Sequence, residues 1–243
     1  MNEGHIVSAY DKDLRELDRL ISEMGGLVES QLAAALDALV RLDPEAAEKV
    51  IAQDKVVDDY EHQIDTYATE MLALRQPMAQ DLRIVLVALK LSANLERMGD
   101  YAKNIAKRAV TLTRAPLLAS ATQSIKHMGE MVQDMISDVL DAYSNRNAGL
   151  ANAVIQRDVD VDRMYTSLFR DFMETMAADP TQISLCTHLV FIAKNVERIG
   201  DHTTNVAEKV IYMLEGNVLE DDRPKDDMST AILLEDDGGK GTS

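Results

Sequence analysis

Glu96, Asp100 and Asn104 fall at i, i+4 and i+8, and Glu197, Asp201 and Asn205 repeat the same pattern 101 residues later. On an α-helix that spacing places the three side chains along one slowly winding stripe. Two further acidic pairs, Asp54 with Asp58 and Asp158 with Asp162, again stand at i, i+4 on neighbouring segments. Carboxylates joined by an amide oxygen, with no cysteine and no paired histidine, form a hard, oxygen-only donor set. Such a set suits Mg²⁺, Ca²⁺, Mn²⁺ or iron and is a poor one for Zn²⁺.

The competing reading is a solvated acidic face, with Glu96 and Asp100 offset by Arg97 and Lys103. Repetition argues against indifference. Like charges at i, i+4 cost a helix roughly 0.2–0.5 kcal/mol. A glycine inside a helix costs about 1 kcal/mol relative to alanine. Both costs recur, since Gly99 and Gly200 precede Asp100 and Asp201. A cation or docking partner would explain the carboxylates, and a close backbone approach would explain the glycines. His202 follows the acidic motif only in the second copy and reads as a packed histidine rather than a ligand. His62, His127, His188 and Cys186 occur singly in helical patterns and read as structural.

The elements that would carry these residues are six amphipathic segments of about 30 residues, each roughly 45 Å long as a helix. The first runs from about Ser8 to Arg41, with Gly25 and Gly26 marking a bend or a close helix contact. The second opens at Asp43-Pro44, an N-cap followed by proline at the first helical position, and ends near Arg75 before Pro77. The third spans about Met78 to Thr113. The fourth runs from near Pro116 to Asn145-Arg146-Asn147, and the fifth runs to about Ala178. The sixth, introduced by Asp179-Pro180, ends near Gly216.

Ile84, Ala88, Leu91, Leu95, Met98, Ala102, Ile105, Ala109 and Leu112 keep a strict 4-3 spacing. Leu185, Leu189, Ile192, Val196, Ile199, Thr203, Val206, Val210 and Met213 reproduce it at the same offset. The third and sixth segments are therefore equivalent helices with one apolar seam each. Helical phase puts the Glu/Asp/Asn stripes away from that seam, on a face facing outward from the bundle. Leu82, Leu86, Leu89 and Ala93 lie earlier on the same outer line, so another bundle or a second chain should cover it.

The expected fold is all-α: two tandem antiparallel three-helix bundles related by an internal repeat, residues 5–114 and 115–216. Residues 217–243, with eight acidic and three basic residues, are expected to be a disordered tail. Aromatic residues make up only 4% of the chain and tryptophan is absent, so the core must be aliphatic, which suits closely packed helices. With 42 acidic against 25 basic residues the formal charge is −17. That charge repels nucleic acid and anionic lipid. One cysteine, no signal-like amino terminus and no 18-residue apolar run predict a cytoplasmic protein without direct membrane insertion.

The doubled E-R-x-G-D-x-x-x-N motif, with a hydrophobic residue at x before Gly, resembles the PhoU proteins, regulators of bacterial phosphate uptake. Met24-Gly25-Gly26-Leu27-Val28-Glu29, Leu74-Arg75-Gln76-Pro77 and Asp81-Leu82-Arg83 are similar to other parts of that family, so the resemblance covers roughly residues 5–216. It implies a homodimeric negative regulator of the phosphate regulon, an adaptor between the phosphate transporter's ATPase subunit and a sensor histidine kinase. It also implies metal sites, carried here by Asp54, Asp58, Glu96, Asp100 and Asn104 in one half. In the other half they would be carried by Asp158, Asp162, Glu197, Asp201 and Asn205. The alternatives are a metal-dependent helical-bundle enzyme and a purely structural scaffold. The first would need Glu-x-x-His pairs, whereas this chain has Glu-x-x-Gly-Asp. No nucleophile–base set or phosphate loop is legible, so no enzymatic activity is expected.

Overall fold

The computed structural model describes residues 3–75, 78, 80–113, 119–216 and 225–232. Six helices are present among them: α1 (Glu3–Arg41), α2 (Pro44–Arg75), α3 (Gln80–Leu112), α4 (Ala119–Ser144), α5 (Ala148–Ala178) and α6 (Ile183–Glu215). These match the six expected segments. The connection at Pro77, the expected start at Pro116 and residues 217–224 and 233–243 lie outside the described residues.

Local chemistry sets the boundaries. Asp43 Oδ1 accepts from the Ala46 amide at 3.0 Å at the start of α2, and Asn147 Oδ1 accepts from the Leu150 amide at 3.1 Å at the start of α5. The preceding turns are built alike. Leu42 (φ 54°) and Arg146 (φ 53°) both take the left-handed conformation, and the next amides, of Asp43 and Asn147, reach back to the Ala38 and Ala142 carbonyls. This is the reach-back of a Schellman-type helix end. Gly216, at φ 79°, ends α6 in the left-handed conformation, where a side chain would be strained.

Within each half the three helices pack on one another, and the halves join through α1 against α4 and α3 against α6. Contacts of α1 with α3, α3 with α6, α6 with α4 and α4 with α1 close these four into a central bundle, with α2 and α5 on its flanks. The α1–α4 contact is self-complementary. A Cβ on Gly25 would fall 2.4 Å from a Leu140 methyl, and one on Gly129 would fall 2.1 Å from a Leu36 methyl. The residues of these two contacts share one offset, so the same glycine-receives-leucine packing occurs twice about a pseudo-twofold axis.

Every seam residue of α6 is buried, as is every one of α3 except Ile84, which packs partly buried against the core. Part of this seam meets the other half rather than its own bundle alone: Thr203 Oγ1 lies 3.9 Å from Met98 Sδ. Of the two expected covers for the outer line, the other bundle does not supply one. Leu82 and Leu86 stay exposed and Leu89 is half-buried, because α6 crosses α3 elsewhere, so the second bundle does not cover them.

Residues 225–232 depart from a tail without fixed position. They run along α5 and α6 and include a short 3₁₀ turn, Ser229–Ala231.

Candidate functional site

Each Glu/Asp stripe faces the flanking helix of its own half. The expected placement outward from the bundle is thus corrected to the α2–α3 and α5–α6 seams. The glycines make this possible. A Cβ on Gly99 would lie 3.2 Å from Val57 Cγ1 and 3.6 Å from Asp54 Oδ1. One on Gly200 would lie 3.0 Å from Asp158 Oδ1. The motif glycine is therefore the point where the flanking helix presses closest, and it seats a buried aspartate against bare backbone.

In the first half, Asp54 is 4% exposed and Asp58 is at the surface. Gln31 Nε2 donates to Asp54 Oδ1 at 3.2 Å. Lys103 Nζ stands between two carboxylates, donating to Asp54 Oδ2 and, at 2.6 Å, to Asp100 Oδ1. Burial alone would push the Lys103 ammonium toward losing its proton, but its bonds to Asp100 and Asp54 outweigh burial and hold it above the ordinary lysine range. Burial also raises Asp100, yet its bond to Lys103 leaves it below the usual carboxylate value.

Glu96 has no lysine of its own. Burial, and then the Asp100 charge, push its carboxyl up to about 7. A carboxyl whose folded pKa lies above its unfolded value stabilises the fold at low pH, and that stability is lost as pH rises from about 4.5 through about 7. Glu96→Gln should therefore be more stable than the parent at pH 8, with the two converging below pH 5. Urea unfolding at both pH values checks this, and a difference independent of pH would contradict the assignment.

In the second half the burial is deeper. Asp158 and Asp162 are each 1% exposed and Glu197 is 3% exposed. Lys194 Nζ donates to Glu197 Oε1 at 2.8 Å and lies over the Tyr165 ring. Burial raises Glu197 and Asp162 above the usual carboxylate range. Asp162 Oδ1 and Glu197 Oε2 are buried without a hydrogen-bond partner. Asn104 and Asn205 sit half-buried on the same helices, one turn beyond Asp100 and Asp201.

The residues expected to hold a metal are brought together only in part. Among the described residues no three Asp, Glu, His or Cys groups converge as ligands. In the first half the place between Asp54 and Asp100 where a cation would bind is taken by the Lys103 ammonium. His202 packs between the halves. Its Nδ1 lies 2.8 Å from Asn94 Oδ1 across the α3–α6 contact, with the ring tilted against Tyr101. Sequence reading treated Lys103 as a surface offset and gave Gln31 and Lys194 no role, because their approach depends on how α1, α2 and α5 pack.

The PhoU domain model matches the chain twice, over residues 21–109 and 125–210. The chain belongs to the PhoU family. A phosphate-specific transport system accessory protein PhoU homolog from Rhizobium meliloti (strain 1021) is 44% identical over 232 residues, covering 96% of this chain and 98% of that protein. A PhoU homolog of the same description from Caulobacter vibrioides (strain NA1000 / CB15N) is 46% identical over 224 residues, covering 92% and 97%. The fold agrees. The crystal structure of PhoU from Pseudomonas aeruginosa superposes with a TM-score of 0.81 at 36% identity, covering 86% of this chain and all of that one. The PhoU regulatory protein structure from Streptococcus pneumoniae gives 0.82 at 29% identity, covering 87% and 99%. The doubled PhoU domain coincides with the two three-helix halves, and both acidic seams lie inside the matched segments.

Proposed function

We infer that this protein is a cytoplasmic negative regulator of phosphate uptake and of the phosphate regulon, an adaptor linking the phosphate transporter's ATPase subunit to a sensor histidine kinase. The observation that carries this reading is the near full-length match to relatives named as accessory proteins of the phosphate-specific transport system. The structure is compatible with such a role. Two charged seams recur at equivalent places on a helical bundle, and no helix among the described residues is long and apolar enough to cross a membrane.

The exposed Leu82 and Leu86 give the adaptor an apolar face on α3 for a second copy of the chain, consistent with a homodimer. Metal binding enters this reading only as competition: Mg²⁺, Mn²⁺, Ca²⁺ or iron would have to displace Lys103 from Asp54 and Asp100. The adaptor role is tested by tagging the full-length protein in phosphate-replete cells and identifying what co-purifies. Recovery of both the ATPase subunit and the kinase is expected. Recovery of neither, with the tagged protein still repressing the regulon, would overturn the adaptor reading.

A further inference from the structure

The two acidic seams are not neutralised in the same way. Lys103, which bridges Asp54 and Asp100, has Thr204 at the equivalent position of α6. That hydroxyl is fully buried and donates to the Asp201 carbonyl of its own helix. Lys194, which pairs with Glu197, corresponds in turn to Ala93 on α3. Thr204 therefore offers the Asp201 carboxylate no ammonium of the kind that Lys103 offers Asp100.

An ammonium reaches Asp201 from the chain beyond α6. Lys225 Nζ donates to Asp201 Oδ1 at 2.8 Å. The next backbone N–H, of Asp226, donates to the buried Asp162 Oδ2 at 2.9 Å. The next two contacts reverse the sign. Arg163 Nε donates to Asp226 Oδ2 at 2.6 Å, and Lys194 Nζ donates to Asp227 Oδ2 at 2.9 Å. The Met228 amide donates to Thr166 Oγ1 at 3.1 Å, and the Ser229 amide closes a local turn on Asp227 Oδ1. One lysine and two aspartates thus each meet the opposite charge, two on α6 and one on α5, while two backbone donors are spent on α5. A merely charged tail would have no reason to match this register.

We propose that residues 225–232 are an intramolecular ligand of the α5–α6 seam, a strap that sets Lys225 against Asp201 and the Asp226 amide against Asp162 and so closes the second seam. The consequence is an asymmetry the sequence repeat hides. Asp58 is at the surface, whereas its counterpart Asp162 is 1% exposed and already accepts from the strap. The first seam is the open one. Any ligand that reads Asp162 or Asp201 must first lift the strap. This inference rests on the contacts alone and stands or falls independently of the phosphate-regulatory role.

Amide hydrogen exchange on the full-length protein tests it. The Asp226 and Met228 amides should exchange at least tenfold more slowly than in an unstructured peptide. Lys225→Ala with Asp226→Ala, changes in the strap that leave all six helices untouched, should restore fast exchange there without altering α5 or α6. Asp100→Ala, in the first seam, should leave the strap's protection unchanged. Fast exchange of 225–232 in the unaltered protein, or protection surviving the double substitution, would overturn the proposal. Protection that grows with protein concentration would also overturn it, because the strap would then be docking on a second copy.

Discussion

Lys103→Met should lower the stability of the fold by about 2–4 kcal/mol, the largest loss expected from any single exposed-to-half-buried side chain here. The reason is what it leaves behind. Asp54 is 4% exposed, and its two oxygens are held by Gln31 and Lys103 alone among the bonds described above. Removing the ammonium strands a buried carboxylate, and the penalty for an uncompensated buried charge exceeds the modest net value of the pair itself. The magnitude is held below that of a fully buried pair because Lys103 keeps 22% of its side chain exposed. The paired change Asp54→Leu with Lys103→Met removes both charges and should return to within about 1 kcal/mol of the parent. Urea unfolding with an unchanged m-value measures both. A single substitution as mild as the double one would show that Lys103 does not neutralise Asp54.

Gly200→Val should cost about 3 kcal/mol, which for a fold of this size corresponds to a fall in Tm of about 6–12 °C. The first atom added already meets Asp158 Oδ1 at 3.0 Å, Val161 Cγ1 at 3.6 Å and Val132 Cγ2 at 3.7 Å. The two further methyl groups of valine have no space between α4 and α5, and Asp158, 1% exposed, cannot move toward water without opening the seam. Gly99→Ala is the contrasting case. Its nearest contact is 3.2 Å to a Val57 methyl, so crowding is partly offset by the roughly 1 kcal/mol that alanine gains over glycine in a helix. Calorimetry on both variants checks the ranking. A Gly200→Val protein as stable as Gly99→Ala would mean the α5–α6 approach is looser than described.

Much of this was legible from residue order. The 4-3 seams and the Asp43-Pro44 cap gave the six helices, and the repeat gave two halves, because helical periodicity and capping are local properties. The motif glycines were readable as close approaches, and both prove to be such. What escaped was long-range. The phase of Glu96 and Asp100 showed that they turn from one seam, but not that α2 lies against their other side. Lys103 looked like a surface lysine because its partner Asp54 is 49 positions away. The charged segment at 225–232 read as tail because its composition is acidic. Its fit depends on Arg163 and Lys194, which only the fold brings alongside.

The regulatory role itself is decided in the cell. Expression from a phosphate-starvation promoter, measured in phosphate-rich medium after deletion of the gene encoding this chain, should rise to the starved level and return to silence when the unaltered gene is restored. A promoter that stays silent in the deletion strain would contradict the role proposed here.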